Sequence, residues 1–235
     1  MAVFKLTMLL TRRADLTPEA FGEAWLELER RQPISAAGLE RYVVDVALPT
    51  TAAVPGAAPA PYDAVVESWW TRKNDAADWF VSRTFDREWM PPRRELLAEI
   101  PAAIVGEPVV LWETQAAVDD EPVTVITLPI ARRGLGRAAF TEHWVGAHAE
   151  LALAGPGAKE RLVRLEDTPA PLAPPTRFTR TNCDGVGAIT FRSLAALADE
   201  FSSAHYREQL VPDEARFTNT EASSVFVGTP VVLLP

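Results

Sequence analysis

The side chains in this sequence with the reach to do chemistry are a few histidines, one strand-embedded glutamate and a set of aromatic rings. His148 follows Trp144 by four residues on a helix-patterned segment. Imidazole titrates near neutral pH, so His148 is the leading candidate for a general base or acid acting on a phenolic or enolic substrate. Its structural alternative is a helix-end histidine, which the helix dipole favours without any chemistry. His205 precedes Tyr206, placing a polar and an aromatic group where both can approach one cavity; the alternative is a tyrosine that packs its ring and hydrates its hydroxyl. Glu67 lies within Val65-Val-Glu-Ser-Trp-Trp70, on the same strand face as Val65 and Trp69. Buried there, it becomes a proton carrier through desolvation; otherwise it pairs with an arginine such as Arg41. The catalytic candidates are thus His148, Glu67, Tyr206 and His205. Trp25, Trp69, Trp144, Tyr42 and Glu29 are candidates for lining a pocket that takes a flat hydrophobic ligand.

Metal and cofactor chemistry lack their signatures. His143 lies roughly 140° around an α-helix from His148, so the two should not share one ligand. A His-Glu-x-x-His helix, a Cys-x-x-Cys pair, a phosphate-binding loop, a dinucleotide Gly-x-Gly-x-x-Gly and a Gly-x-Ser-x-Gly elbow are all missing from the sequence. No cofactor and no metal are expected, and an enzyme built on this chain would rely on substrate reactivity plus proton transfer.

The elements that position these residues occur twice. A shift of about 120 residues lays the chain over itself. Lys5–Arg13 falls on Thr124–Arg133, each an apolar run followed by paired arginines. Phe21-Gly-Glu-Ala-Trp25 falls on Phe140-Thr-Glu-His-Trp144, an i, i+4 aromatic pair on one helix face. Glu40–Asp45 aligns with Glu160–Leu165 and Tyr62-Asp63 with Cys183-Asp184, all read as strands, with Asp63 and Asp184 as turn or cap residues. Second helices are expected over 75–98 and 194–217, and Gly106–Leu111 and Gly228–Leu233 suit final strands. Thr17-Pro18 supplies an N-cap and a first-turn proline.

Each half therefore reads β-α-β-β-α-β, the ferredoxin-like order. The expected fold is α+β, with residues 1–114 and 122–235 as the two halves, 115–121 as linker, and the two sheets packed as an intramolecular pseudo-dimeric α+β barrel. The Pro/Ala-rich segments Pro49–Pro61 and Thr168–Thr176 read as loops between second and third strands.

The 235 residues carry 32 acidic against 23 basic side chains, a formal charge of −9, which offers no electrostatic footprint for nucleic acid or an anionic membrane. Cys183 is the single cysteine, which fits a reducing cytoplasm. Val3–Leu10 reads as a strand rather than an export signal, and no apolar run reaches membrane-spanning length.

Taken together, the Thr-Arg-Arg after the first strand, the Phe-x3-Trp helix, the Arg41-Tyr42 and Tyr62-Asp63 strands and the terminal Val-Val-Leu resemble the EthD family over nearly the whole chain. That resemblance implies the dimeric α+β barrel fold, whose members include cofactor-free monooxygenases, polyketide cyclases, decarboxylases and accessory proteins of ether degradation. It also implies a histidine four residues after the helix tryptophan, met by His148 after Trp144 but replaced by Glu29 after Trp25. The leading expectation is a cofactor-independent cyclase, dehydratase or decarboxylase acting on a small aromatic or polyketide-like carbonyl compound. A non-catalytic hydrophobic-ligand-binding or accessory protein and a cofactor-free monooxygenase are the alternatives. The expected partner is a small hydrophobic or aromatic molecule, and the chain is either a monomer with an internal pseudo-dimer or a homodimer.

Overall fold

In a computed structural model of the chain, residues 4–48, 54, 57–116, 121–170 and 172–235 are described. Much of the Pro49–Pro61 loop and residues 117–120 of the spacer lie outside them. The N-terminal half runs β1 (Phe4–Leu10), α1 (Pro18–Arg31), β2 (Leu39–Ala47), β3 (Ala58–Pro59), β4 (Ala64–Trp70), α2 (Lys73–Phe80), a π-helical turn (Phe85–Trp89), α3 (Met90–Arg94), β5 (Ala102–Gly106) and β6 (Val109–Glu113). The C-terminal half runs β7 (Val123–Leu128), α4 (Arg137–His143), a π-helical turn (Trp144–His148), α5 (Ala149–Leu153), α6 (Ala158–Arg161), β8 (Leu162–Pro169), β9 (Thr179–Arg180), β10 (Gly185–Phe191), α7 (Leu194–Ser202), a third π-helical turn (Tyr206–Leu210), α8 (Val211–Phe217) and β11 (Ser224–Leu234).

All the strands belong to one large sheet, ordered β8-β10-β7-β11 and then β2-β4-β1-β5. The junctions are reciprocal. The first part of β11 pairs with β7 and its last part with β2. Past Glu107-Pro108, the chain leaving β5 pairs with β8 as β6. The two-residue strands follow suit, β3 adding to β11 and β9 to β5. Period-two alternation then gives each strand one face toward the helices and one toward the sheet's interior.

Register also corrects the strand overlay read from sequence. Leu39 and Arg41 stand opposite Trp70 and Trp69 with a bulge between them, and Leu162 and Arg164 stand opposite Phe191 and Thr190 with the same irregularity. Val44 therefore corresponds to Asp167, three residues beyond the match that similarity around Glu160-Arg161 suggests, because those two residues close α6 instead of opening a strand. The expected long second helices are interrupted at Val81-Ser82 and at Ser203, each continuing afterwards through a π-helical turn, and the final strand of the N-terminal half is interrupted at Pro108, which has no N–H to give a ladder.

Local signals elsewhere match what forms. Thr17 accepts the Ala20 N–H at the start of α1, with Pro18 in the first turn. Asp63 and Asp184 play the same part in the two halves, accepting the backbone N–H of Arg12 and of Ala131.

The sheet interior holds an apolar end, with Leu9, Val65, Ile104, Ile126 and Phe226, and a charged end. At the charged end Lys5 donates to Glu166 at 2.7 Å and pairs with Glu67, while Arg164 and the Trp69 indole also donate to Glu166. Mutual pairing offsets the desolvation of ions held there.

Candidate functional site

A cavity of about 370 Å³ opens between the helices and the sheet of the C-terminal half, a volume in the range of about 300–1,000 Å³ usual for small-molecule sites. Leu162, Leu165, Ile189, Phe191, Phe201 and Leu210 make its wall apolar, and Trp144, His148, Asp167, Tyr206 and Glu214 add polar groups.

The π-helical turn Trp144–His148 decides how the histidines sit. Its i→i+5 bonding brings residues five apart to nearly the same face, so His143 and His148 converge where an α-helix would spread them. Both reach one carboxylate. His148 Nδ1 lies 3.0 Å from Asp213 Oδ2, and His143 Nε2 lies 3.0 Å from the same oxygen. The expectation that these histidines cannot share a ligand is thereby overturned by the local helix geometry.

An ionised carboxylate only accepts, so His148 Nδ1 carries the hydrogen and Nε2 keeps a free lone pair. Burial lowers the His148 pKa, and repulsion from His143 acts in the same direction, against the opposing pull of Asp213. The ring is therefore neutral at physiological pH, which is the state a base requires. Asp213 is held below the usual carboxylate range: burial opposes this, but the two histidine hydrogen bonds outweigh it.

One residue further on, Glu214 has the opposite tuning. Burial, aided by the neighbouring Asp213 charge, raises its pKa to about 7. Burial also raises the Tyr206 hydroxyl. Asp167 is pushed well above its ordinary range by burial and by the charge of Glu166. Neither the Asp167 nor the Glu214 carboxyl has a side-chain hydrogen bond among the described residues, whereas Glu200, also on the wall, accepts from Arg161 at 2.8 Å.

The residues singled out from sequence thus fall into three groups. His148, Trp144 and Tyr206 line the cavity. His205 stands outside it, with Nε2 donating to the Leu151 carbonyl at 2.8 Å. Glu67 and Trp69 point into the sheet interior, on the far side from the cavity; Glu67 is buried but pairs with Lys5 instead of Arg41, whose guanidinium lies over Trp69. Trp25, Tyr42 and Glu29 are packed in the N-terminal core, where Glu29 accepts from Tyr42 at 2.9 Å and from Arg93 at 3.1 Å.

Asp213, Glu214 and Asp167 escaped the sequence reading. For the first two the available signal was Pro212, which matches Pro91 and sets Asp213 and Glu214 over Pro92 and Arg93.

Residues 132–221 match the EthD domain. The EthD-matching segment spans α4 to α8 and so carries His143, His148 and His205 together with Trp144, Asp167, Tyr206, Asp213 and Glu214. No curated protein matches the chain. Among solved structures it is similar to an anthrone oxidase-like protein, at 12% identity and a TM-score of 0.68 over 98% of this chain and 91% of that one. It is also similar to a candidate monooxygenase from Lactobacillus acidophilus NCFM, at 9% identity and 0.58 over 98% and 94%. A variant chlorite dismutase from Candidatus Nitrospira defluvii matches at 11% identity and 0.53 over 97% and 92%. At such identities the likeness establishes the fold: a mixed α+β fold with a large sheet, similar to ferredoxin-like dimeric α+β barrel proteins.

Proposed function

We propose that the cavity of the C-terminal half binds a small, largely apolar carbonyl or phenolic ring compound and moves a proton on it, without a bound cofactor. His148 is the base in this reading and Glu214 the proton donor. The observation that carries it is a neutral imidazole oriented by Asp213 on the same cavity wall as a carboxyl with a pKa of about 7. His148 Nε2 takes a proton from a C–H or O–H made acidic by a neighbouring carbonyl or ring, and Glu214 gives its proton to the enolate oxygen that develops. A donor and an acceptor both poised near neutrality suit such a transfer.

We also read the chain as two fused ferredoxin-like units, 1–114 and 122–235, forming a pseudo-dimeric barrel. The matching bulges in β2 and β8 and the reciprocal strand pairing support this reading.

Anthrone, suggested by the anthrone oxidase-like neighbour, is a suitable probe because its methylene hydrogens are acidified by the ring ketone. Incubation in deuterated water without oxygen, followed by mass spectrometry, isolates proton transfer from any later oxidation. The wild-type protein should accelerate exchange and His148→Ala should remove at least about 100-fold of that acceleration. Undiminished exchange in His148→Ala would sink the assigned role. The apolar wall also supports a binding or accessory protein, and tight anthrone binding with no accelerated exchange would decide for that alternative.

A further inference from the structure

We propose that Asp167 anchors the ligand and sets its charge class: its carboxyl donates a hydrogen bond to an oxygen of an uncharged ring compound, and the cavity discriminates against ring carboxylates. This rests on the reading of the cavity as a ligand site and extends it to a second group on the opposite wall from the helices.

The geometry begins with a row across three strands. Asp167 on β8 stands opposite Gly187 on β10, which stands opposite Thr127 on β7. The corresponding row in the N-terminal half is Val44, Val66 and Met8, also in register and wholly apolar. Glycine in place of valine at the centre of the row lets the flanking side chains close in over the backbone. A Cβ on Gly187 would lie 3.0 Å from Asp167 Oδ1 and 3.3 Å from the Trp144 ring, and would collide with Thr127 Oγ1. The sheet thus presents a polar shelf beneath Trp144.

Asp167 is only 3% exposed and has no hydrogen-bond partner among the described residues. Its carboxyl oxygens open onto the cavity instead of being sealed in the core, so a ligand oxygen at the shelf can take up that hydrogen-bonding capacity. Burial shifts the carboxyl toward its protonated form, which has a donor to give. The wall also contains no lysine or arginine among its described residues, while Asp167, Glu200 and Glu214 all contribute to it. Arg161 answers Glu200 from outside that wall. An entering carboxylate would meet carboxyl groups and no cation, and burying such a charge unpaired is costly.

The test uses two matched probe pairs and calorimetric titration of the full chain. α-Tetralone and tetralin differ by the carbonyl oxygen; α-naphthol and α-naphthoate differ by the carboxylate charge. In Asp167→Leu, affinity for α-tetralone should fall about 5–10-fold, the worth of one hydrogen bond, while tetralin binding holds or tightens. Asp167→Asn, which keeps an N–H donor in nearly the same volume, should retain most α-tetralone affinity. Wild-type protein should bind α-naphthol at least about 10-fold more tightly than α-naphthoate. Equal shifts for α-tetralone and tetralin in both variants, equal affinities for α-naphthol and α-naphthoate, or no binding of any neutral probe would overturn the proposal. Because these are binding readouts, a protein that shows the full pattern yet exchanges no anthrone hydrogen fails only the proton-transfer reading.

Discussion

Where the N-terminal half seats Trp89 and Arg93 on the helical layer over its sheet, the C-terminal half seats Leu210 and Glu214, and most of the contrast between the halves follows from that exchange. Arg93 is fully buried, donates to Glu29 and to the Trp89 and Gln32 carbonyls, and lies 3.8 Å from the Trp89 ring centre. Phe178, from the loop after β8, crosses over to pack on Phe80 and Phe85 and completes the plug. The smaller Val54 and Ala57 make the reverse crossing and leave space at the C-terminal cavity. At the place of Glu29 stands His148, facing that space. The same strand order thus supports a closed ion pair in one half and, in the other, an imidazole and a carboxyl on the wall of an open cavity. The lesson is that one helical layer either closes around a buried charge pair or leaves ionisable groups facing a cavity, according to whether its large side chains fill the space beside it.

The comparison breaks most sharply at its two matching helix positions. His148→Ala should cost at least about 100-fold in anthrone exchange with little loss of folding stability, since a general base contributes on that scale. Glu29→Ala should do the reverse. It leaves Arg93 buried without its carboxylate, which should cost about 3–5 kcal/mol in urea unfolding, while the folded fraction exchanges anthrone normally. A stable Glu29→Ala, or a His148→Ala that fails to fold, would show that the two positions do not divide the labour in this way.

Filling and emptying the two layers sharpens the contrast further. Trp89→Ala should cost about 3–5 kcal/mol, as large-to-small changes of core aromatics do. Leu210→Trp gives the C-terminal half the side chain of its counterpart. It should lower α-tetralone affinity at least about 10-fold, while stability stays within about 1 kcal/mol, because new buried apolar area offsets strain. If Leu210→Trp binds the probe unchanged, the ligand does not occupy the space beneath Leu210.

The order of strands and helices was legible because apolar periodicity and the repeated Arg-Arg, Phe-x3-Trp and Val-Val-Leu segments are local signals. His148, Trp144 and Tyr206 were legible as cavity-side candidates for the same reason. Three things were hidden. The π-helical turn leaves no composition mark, so helical-wheel geometry separated His143 from His148 when the fold joins them on Asp213. The three-residue slip between β2 and β8 depends on where α6 stops, and it concealed the exchange of Val44 for Asp167. Glu67 carried the pattern of a buried strand carboxylate, yet which partner it meets depends on how the sheet closes, and that brings Lys5 and Glu166 to the same interior.

The smallest expected effect is the most specific, because two groups of the candidate site should bend the stability profile in opposite directions. Glu214 has its pKa raised from 4.5 to about 7 by burial, so between those values the folded state holds more protons than the unfolded one. Its contribution is fully present below pH 4.5 and is lost as pH rises through about 7. Glu214→Gln should therefore gain stability relative to wild type between pH 5 and 8, by about 1 kcal/mol once solvent screening at the partly open wall is allowed for. His148 has its pKa lowered by burial, so its contribution is present above the ordinary value of 6.5 and is lost as pH falls below it. His148→Gln should flatten only that acid limb. Urea midpoints measured across this range for the two variants separate the limbs, and an acid limb flattened by Glu214→Gln would contradict the assignment of the two groups to opposite roles.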